Sequence, residues 1–443
     1  MMAFPLWNKC SCSRRRIKLF WVRNFVTGQI QQNSNTRFEK SAMLTLEEAL
    51  AGILAALPAP GSERVRVLNA FQRVLAEDVL APVALPTFDN SSMDGYAARS
   101  ADTASANPHQ PVSLRLIGRV AAGEHFHGEI KTGECVRIFT GSPLPAGADA
   151  VVMQEDTRVE PQSPDEIFIL EPVKPWENVR FRGEDIKCNT LVGRPGEWLN
   201  AARIGLLNAV GTGEVSVNRR PLVGLLATGS ELKEAGEPLL PGQIYESNRA
   251  ALAPLIQNAG GIPKMFPIVS DDPEATSIAL EKAFSDSDIV VTCGGVSVGE
   301  MDFVKSAFEQ LGGNLQFWKV AIKPGKPFVF GRCGEKFLFG LPGNPVSAFV
   351  TFLLLVRPAL LRWQGAHELG LPVSPGTLFE PLENSGSRRH FMRVILDSEG
   401  GVRSAGIQAS HILRSLASAN GLVDVPPQTS FPVGSVVRVL RWD

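Results

Sequence analysis

The chain has 443 residues, of which 44% are hydrophobic and 20% charged, a composition typical of a soluble globular protein. This length exceeds what one hydrophobic core usually supports, so we expect two to four domains. The formal net charge of −1 gives no global reason to expect a nucleic acid or a membrane surface as partner. No apolar run approaches the ~20 residues of a membrane-spanning helix. The six cysteines form no C-x-x-C pair and indicate a reducing cytoplasm.

The first 42 residues differ in charge from the rest of the chain. They contain eight basic residues and one acid, a net charge of +7, which leaves −8 on the remainder. An organelle transit peptide has such a composition, and so does a tail that binds nucleic acid or a membrane surface. We favour a third interpretation, in which residues 1–42 are a disordered or non-native extension and translation starts at Met43. N-terminal sequencing of the native protein distinguishes the three.

A helix is predicted directly after this extension. Thr45 and Glu48 have the spacing of a capping box, apolar residues then recur at helical spacing to Leu57, and Pro58 ends the pattern. A second helical pattern spans about Leu68–Glu77. Residues 178–217 are mixed and turn-rich. We expect 44–80 and 178–217 to form one discontinuous, elongated domain.

Three further domains are predicted in chain order. Residues 81–177 alternate short apolar strands with Gly and Pro, which predicts an all-β domain. Residues 218–364 alternate strand, helix and strand, as in a parallel α/β domain. Residues 365–443 return to short strands and predict a small β-barrel. The predicted fold class is therefore multi-domain α/β plus β, with a parallel α/β domain, an all-β domain, a mixed elongated domain and a C-terminal small β-barrel.

Three strand-to-loop junctions in the α/β segment indicate a ligand site. They lie at Leu225–Glu231, Val290–Asp302 and Phe337–Phe349, and each is an apolar run that stops at small, glycine-rich residues. In an open parallel sheet such loops gather at the carboxyl ends of the strands, where ligands bind. Their free backbone N–H groups suit anions, phosphates above all.

The second junction is the most specific of the three. The three glycines in Gly294–Gly299 let a ligand approach the backbone closely. Glu300 and Asp302 follow at once and would repel an anion unless a divalent cation bridged them. We therefore expect phosphates and Mg²⁺ at this loop.

A cluster of lysines follows. Lys319, Lys323 and Lys326 surround a rigid Pro-Gly-x-Pro segment, and Lys319 and Lys323 should point away from the strand face that bears Val320 and Ile322. An exposed face is the ordinary explanation for such lysines. Because the prolines reduce the entropy cost of holding the ammonium groups together, a tetrahedral oxyanion or a phosphate is the guest that we predict.

The third junction places Pro345 at the first position of an apolar helix, whose N-terminus should face the sheet crevice. Simpler explanations exist for the neighbouring motifs. Thr228–Glu231 is also compatible with an ordinary turn, Ser247 or Asn248 with a helix cap, and Asp271 or Asp272 with a helix start. The glycine loops match neither a P-loop nor a dinucleotide fingerprint, which disfavours NAD chemistry and ATP hydrolysis of the P-loop type.

In combination, nine motifs from FDNSSMDGYA to GLPGNPVSAF resemble the MoeA/gephyrin E-domain family, the molybdopterin molybdenumtransferases. They include VRFRGEDI, TCGGVSVGEMD and WKVAIKPGKP, and the resemblance runs in order from about Leu44 to the C-terminus. It implies a four-domain, elongated homodimer whose active site lies at the subunit interface. The implied activity is insertion of molybdate into adenylylated molybdopterin, with release of AMP and a requirement for a divalent cation, Mg²⁺. The α/β domain would bind the molybdopterin.

The resemblance also assigns functional residues. Catalytic positions are Asp94, Thr140, Asp185, Glu231, Asp271, Asp302, Lys319 and Lys323, with Glu231 and Asp302 as Mg²⁺ ligands and the two lysines holding molybdate. Positions that bind the cofactor substrate are Thr228, Gly229, Ser230, Ser247, Asn248, Gly294, Gly295, Ser297, Gly299, Lys326, Pro342, Gly343, Asn344, Pro345, Ser347, Arg393 and Ser415.

Two other functions remain open at this stage. The related α/β fold is compatible with a molybdopterin adenylyltransferase, although such an enzyme is otherwise the upstream partner that we expect. A gephyrin-like scaffold without catalysis is the second alternative, and the retained acids and lysines argue against it. Tungstate and molybdate are too similar in size and charge for any residue here to separate them.

Overall fold

The computed structural model describes residues 43–295 and 303–442. The interpretation of residues 1–42 and the predictions for Ser297, Gly299, Glu300 and Asp302 lie outside the described residues. The described part contains a mixed N-terminal region, a β domain, an α/β domain and a C-terminal barrel.

The first helix spans Leu46–Ala56, and the predicted capping box is confirmed. The Thr45 hydroxyl accepts from the Glu48 N–H at 3.2 Å, and the Glu48 carboxylate accepts from the Thr45 N–H at 2.9 Å. Ala49 and Ile53 are fully buried in the core of the α/β domain. The helix therefore packs on that domain rather than on the segment that follows it in the chain.

The prediction of a second helix at Leu68–Glu77 is wrong. Only a 3₁₀ turn forms, at Val67–Asn69, and Val74 and Leu75 then make bridges to Trp198 and Val217. Val74 and Leu75 are buried in two different apolar clusters, as expected for extended chain, whose successive side chains point in opposite directions. Apolar residues at helical spacing do not form a helix here because half of them, such as Leu68 at 66% exposure, are not buried.

The N-terminal region is closed by chain that returns from the far side of the β domain. Ser62–Arg66 pairs antiparallel with Glu214–Asn218, and Val79–Leu80 pairs with Leu191–Gly193. The helix Ala201–Ala209 begins at Asn200, whose side chain accepts from the backbone N–H of the third helical residue. The predicted return of the second segment is thus seen in its strand pairing.

The β domain is one mixed sheet of six strands with an apolar cluster on each face. In sheet order the strands are Ala150–Met153, Gly95–Ala98, Glu134–Ile138, Val112–Val120, Ser163–Ile169 and Thr157–Glu160. A short helix, Ser100–Thr103, and a 3₁₀ turn, Gln154–Asp156, lie between them. Asn90–Ser91 pairs outside the sheet with Val179–Arg180, which joins this domain to the returning segment.

The α/β domain is built on a second six-stranded sheet. In sheet order its strands are Ile262–Met265, Leu222–Ala227, Ile289–Cys293, Lys336–Leu341, Pro327–Cys333 and Asn314–Lys319. The first four run parallel. The three predicted junctions follow Leu222–Ala227, Ile289–Cys293 and Lys336–Leu341, which are neighbours in the sheet, so their loops meet at one edge.

One strand departs from the predicted all-parallel sheet, and the last strand, Asn314–Lys319, pairs antiparallel with it and so runs in the direction of the first four. Pro327–Cys333 runs antiparallel to Lys336–Leu341. Only Gly334 and Glu335 connect them, and Gly334 has a φ of +60°. A two-residue turn can only reverse the chain, since a parallel neighbour needs a crossover of a dozen or more residues.

Helices cover both faces of this sheet, and the sheet separates two apolar clusters. They span Asn248–Asn258, Pro273–Asp286, Phe303–Gln310 and Pro345–Trp363. The Pro345–Trp363 helix is long and apolar enough to cross a membrane, but 72% of its most apolar window is buried inside the protein, as in a core helix. Its middle turn, Phe352–Val356, is π-helical, and Pro358, two residues further on, cannot donate to the preceding turn.

The predicted C-terminal barrel is confirmed. Five strands close on themselves: Arg389–Leu396, Gly401–Ser404, Val373–Leu378, Val436–Arg441 and Gly421–Val425. Leu382–Asn384 pairs with Thr429–Phe431 beside the barrel, and a short helix spans Leu413–Ser418. The two-residue strand Ile322–Lys323 of the α/β domain pairs with Arg389–His390, which joins the lysine segment to the barrel.

Candidate active site

A cavity of about 670 Å³ opens at the carboxyl ends of the three neighbouring parallel strands. Twelve residues predicted from the sequence line it: Thr228, Gly229, Glu231, Ser247, Asn248, Asp271, Gly294, Gly295, Pro342, Gly343, Asn344 and Pro345. We call it the main cavity. All three predicted junctions contribute to it.

Ser230 and Asp271 join two of the loops around the main cavity. The Ser230 N–H donates to the Asp271 carboxylate at 3.0 Å, and the Asp271 N–H donates to the Ser230 hydroxyl at 2.9 Å. Asp272, not Asp271, caps the following helix, because its carboxylate accepts from the Ala275 N–H at 2.7 Å. Asp271 is thus free of the capping role, and it lies on the cavity wall with one carboxylate oxygen held by Ser230.

The start of the glycine loop packs tightly against the first strand end. Gly294 and Gly295 have φ values of +88° and +63°, which favour glycine. A Cβ at Gly295 would lie 2.6 Å from Val304 Cγ2 and 2.9 Å from Thr228 Oγ1. A Cβ at Gly294 would lie 2.8 Å from the Thr228 carbonyl oxygen, so these glycines are required by close packing as well as by their conformation.

Asn248, at the start of a helix that lines the main cavity, binds the third loop. Its side-chain N–H donates to the Gly343 carbonyl at 2.8 Å. The helix start at Asn248 is not capped by Ser247, whose side chain makes no capping bond. The Glu246 carboxylate instead accepts from the backbone N–H groups of Asn248, at 2.6 Å, and Arg249, at 2.9 Å.

Glu246 also lines the main cavity, and sequence reasoning missed it. It forms a buried ion pair with Arg249 at 3.0 Å, and the same guanidinium binds Glu234 at 2.7 Å. Burial lowers the pKa of Arg249, but the hydrogen bonds to Glu234 and Glu246 outweigh this effect, so the pKa of the guanidinium is raised. The helix start beneath the cavity is thus held by a buried ion pair.

A second cavity, of about 610 Å³, lies between the α/β domain and the barrel. Lys323, Lys326 and Ser347 line it as residues predicted from the sequence. Other residues also line it, and no local motif marks them: Arg388 and the barrel residues Gln408, Ala409, Ser410 and His411. We call it the oxyanion cavity, because two lysines and an arginine face it.

The two cavities adjoin. Pro327, Asn344 and His411 line both of them. The helix starts at Pro345, which lines the main cavity, but part of its N-terminus is already occupied: the Val346 N–H donates to the Ser410 carbonyl at 3.2 Å. The helix N-terminus is therefore only partly free to bind an anion.

Lys319 lies apart from both cavities. It ends the last strand of the sheet opposite Pro327, and its carbonyl accepts from the Leu44 N–H at 3.1 Å. Val320 and Ile322 are fully buried while Lys323 is exposed, which agrees with the predicted division of faces. Only Lys323 of the two predicted molybdate ligands lines the oxyanion cavity.

The site residues that the sequence predicts in the β domain and in the returning segment do not line the two cavities. Asp94 accepts from the backbone N–H and the hydroxyl of Thr140 at 2.8 and 2.9 Å. These bonds hold the pKa of the exposed Asp94 carboxyl below its usual value. Asp185 is exposed, and its N–H donates to the Leu85 carbonyl. None of the three lines either cavity.

Replacing Thr140 by Val tests this pair. Thr140→Val removes the hydroxyl donor and keeps the backbone donor, so the pKa of Asp94 should rise toward its ordinary value without reaching it. NMR titration of the Asp94 carboxyl carbon measures the change, with Thr157→Val as a control at a half-buried β-domain threonine whose hydroxyl donates to the Gln154 carbonyl. An unchanged Asp94 pKa would contradict the hydrogen-bonding role of the hydroxyl.

Arg393 and Ser415 are buried in the barrel and contact each other. Arg393 Nε donates to Ser415 Oγ at 3.0 Å. Arg393 is fully buried and Ser415 is 3% exposed. Neither residue lines the main or the oxyanion cavity, so neither is in position to contact a ligand there directly.

The donor set of the main cavity fits a magnesium ion. Glu231 and Asp271 both line it, and Mg²⁺ typically takes one or two protein carboxylates together with water and substrate phosphates. Within residues 43–295 and 303–442, no group of three or more His, Cys, Asp or Glu side chains forms a closed metal cage. The second predicted ligand, Asp302, lies outside the described residues.

Comparison with known proteins places the chain in a family. Three family models match it in order: the MoeA N-terminal region (domains I and II) at residues 44–211, a probable molybdopterin binding domain at 224–362, and the MoeA C-terminal region (domain IV) at 375–442. The chain belongs to the MoeA family. The predicted resemblance is thereby confirmed.

Individual relatives agree with the family models. A molybdopterin molybdenumtransferase of Haemophilus influenzae is 38% identical over 85% of this chain and 93% of its own length. Molybdopterin molybdenumtransferase 2 of Mycobacterium tuberculosis is 39% identical over 84% of the chain and 92% of its own length. The crystal structure of a molybdopterin biosynthesis MoeA protein from Pyrococcus horikosii covers 91% of this chain and 100% of its own, with 35% identity and a TM-score of 0.77.

Proposed function

We propose that this protein inserts molybdate into adenylylated molybdopterin with release of AMP, in a reaction that requires Mg²⁺. Its family supports the coarser statement, a molybdopterin molybdenumtransferase of molybdenum cofactor biosynthesis. The observation that carries the finer proposal is the junction of the two cavities. A cavity with acids and glycines adjoins one with lysines and an arginine, and three residues line both.

The main cavity suits the pyrophosphate of the substrate. Gly295 and Gly343 have no side chain, so phosphate oxygens can approach their backbone N–H groups closely, whereas the Gly294 N–H already donates to the Leu341 carbonyl at 3.1 Å. Glu231 and Asp271 would hold Mg²⁺ beside those oxygens. When bound there, the cation neutralises charge that develops on the pyrophosphate.

The oxyanion cavity suits molybdate, a tetrahedral dianion. Lys323, Lys326 and Arg388 line it, and Ser347 adds a hydroxyl donor. The strand pairing of Lys323 with the barrel fixes its backbone. Arg388 Nη1 donates to the Ile322 carbonyl at 2.7 Å, which leaves its remaining N–H groups to face the cavity.

The chemistry then requires no protein nucleophile. An oxygen of water or of molybdate attacks the adenylyl phosphorus, the pyrophosphate P–O bond breaks, and AMP leaves with the new oxygen. The terminal phosphate stays on molybdopterin, whose dithiolene sulfurs replace oxygens of molybdate that depart as water. The residues of the chain supply orientation and charge, which account for most of the catalysis in phosphoryl transfer.

AMP release tests the proposal. Purified protein should release AMP from adenylylated molybdopterin when both molybdate and Mg²⁺ are present, and EDTA should stop the release. An intact adenylylated substrate under these conditions would contradict the proposal. Consumption of ATP with free molybdopterin would instead identify an adenylyltransferase.

Removing the Lys323 charge is expected to weaken molybdate binding selectively. Lys323→Ala deletes one of three cations at the oxyanion cavity, so the half-saturating molybdate concentration should rise roughly 10-fold, as expected for loss of one charged hydrogen bond. The KM for adenylylated molybdopterin should stay within twofold. Lys187→Ala, an exposed lysine on neither cavity, is the control. An equal rise in both constants would show that Lys323 is not specific to the oxyanion.

A homodimer completes the proposal. Asp94, Thr140 and Asp185 line neither cavity of their own chain, so we propose that they act on the active site of a second subunit. A cytoplasmic location and a molybdopterin adenylyltransferase as upstream partner are part of the same proposal, because the adenylylated substrate has to be supplied.

Mixed dimers of Asp94→Asn and Lys323→Ala chains should regain activity, since one of the two sites is then intact.

A further inference from the structure

We infer that Arg393 and Ser415 are positioning residues, which hold the barrel loop 407–411 in place as a wall of the oxyanion cavity. They act on the bound oxyanion through this loop and not by contact. The inference rests on the proposed function for the identity of the ligand. The claim that Arg393 and Ser415 hold the loop rests only on the observed hydrogen bonds.

Arg393 ties the loop to the barrel through its guanidinium. Nη2 donates to the carbonyls of Ile407, at 2.8 Å, and Ala409, at 3.2 Å. Nε donates to Ser415 Oγ at 3.0 Å, and that hydroxyl donates onward to the Ile412 carbonyl at 2.9 Å. One fully buried side chain thus binds the loop at two carbonyls and is itself oriented by Ser415.

Gln408 holds the loop to the same residue from the opposite direction. Its Oε1 accepts from the Arg393 N–H and its Nε2 donates to the Arg393 carbonyl, both at 2.9 Å. Gln408 also lines the oxyanion cavity. Side chain and backbone of Arg393 are therefore both used to fix residues 407–409.

The far end of the loop is docked on the α/β domain. The Ser410 carbonyl accepts from the Val346 N–H at 3.2 Å, at the start of the Pro345–Trp363 helix. His411, the next residue, lines both cavities. The loop consequently spans from the Arg393 cluster to the junction of the cavities, and a shift of the loop would move one wall of the oxyanion cavity.

The guanidinium of Arg393 is buried in the barrel and does not line the oxyanion cavity. Among the described residues it forms no ion pair with a carboxylate; Nε donates to a hydroxyl, Nη2 donates to backbone carbonyls, and Nη1 is buried without a hydrogen-bond partner. Arg388, five residues earlier on the same chain segment, lines the cavity instead. We therefore separate the roles: Arg388 contacts the oxyanion, and Arg393 supports the wall that residues 408–411 form.

The test compares two serines on one short helix, Leu413–Ser418. Ser415→Ala removes the hydroxyl that orients Arg393, and Ser418→Ala removes an exposed hydroxyl that donates only to the Arg414 carbonyl.

Hydrogen exchange of residues 407–411 should become roughly 10-fold faster in Ser415→Ala, the effect of losing one hydrogen bond to a charged group. The half-saturating molybdate concentration should rise by a similar factor, with kcat and the KM for adenylylated molybdopterin within twofold of the unmodified protein. Ser418→Ala should change none of these.

Arg388→Gln provides the contrast. It should raise the half-saturating molybdate concentration without changing exchange at 407–411. If Ser415→Ala weakened molybdate binding while exchange stayed the same, Ser415 and Arg393 would act by contact and the inference would be overturned. Faster exchange with unchanged molybdate dependence would also overturn it, because the loop would then not be a wall. If the unmodified protein released no AMP with molybdate, the proposed function would fail, whereas the exchange comparison would still decide whether Ser415 holds the loop.

Discussion

Glu231→Gln is expected to slow AMP release roughly 100-fold, because the substitution removes one carboxylate ligand from a cation that contributes several kcal/mol to stabilising the transition state. Glu231 lines the main cavity, and within residues 43–295 and 303–442 no cation pairs with its carboxylate. Glutamine has the same shape, so the neighbouring Gly229, where a Cβ would lie 2.6 Å from Glu231 Oε2, is not disturbed.

Single-turnover AMP release at varied Mg²⁺ concentration measures this effect. The variant should need more Mg²⁺ for half-maximal rate, and high Mg²⁺ should restore part of the loss. Glu237→Gln is the matched control, because Glu237 follows in the same segment but pairs on the surface with Lys233 at 3.8 Å. A variant with the Mg²⁺ dependence of the unmodified protein would remove Glu231 from the metal site.

Arg249→Met is expected to destabilise the α/β domain by about 3 kcal/mol or more, the usual cost of breaking a buried ion pair. Met has a similar length, so the main loss is the charge. Glu246, whose side chain is 3% exposed, would keep its carboxylate in the interior with only the two backbone N–H donors at the helix start. Glu234, at 54% exposure, can be hydrated instead.

A double variant separates charge from packing. Glu246→Gln together with Arg249→Met removes both buried charges, so it should be more stable than Arg249→Met alone. Differential scanning calorimetry of the α/β transition measures both. Lys282→Met is the control, since the Lys282 side chain is 65% exposed and its pair with Asp286 should contribute much less to stability than the buried pair. Equal destabilisation by Lys282→Met and Arg249→Met would contradict the role of the buried pair.

Local sequence rules predicted the elements that depend on local chemistry. The Thr45–Glu48 capping box, the helix start at Pro345 and the glycine junction at Gly294 each involve residues within a few positions of one another, and the structure contains all three. The second predicted helix fails for the converse reason. Its apolar residues satisfy the helical spacing, but bridges to distant partners keep Val74 and Leu75 extended.

Tertiary contacts bring to the site residues that no sequence pattern predicts. Arg388, Gln408 and His411 reach the oxyanion cavity from the barrel, far along the chain from Lys323, and no motif marks them. Glu246 was missed because an acid two residues before a helix start is common, and its burial with Arg249 is visible only in the fold. The predicted roles of Arg393 and Ser415 were assigned by resemblance, and their burial suggests an indirect role.

The most direct test of the account is the ratio of molybdenum transferred to AMP released. Protein loaded with adenylylated molybdopterin is mixed with molybdate and Mg²⁺, and protein-bound molybdenum and free AMP are measured in the same samples. The account predicts one molybdenum bound to molybdopterin for each AMP, with both lost together in Glu231→Gln. Release of AMP without bound molybdenum would contradict the claim that the two adjoining cavities form one insertion site.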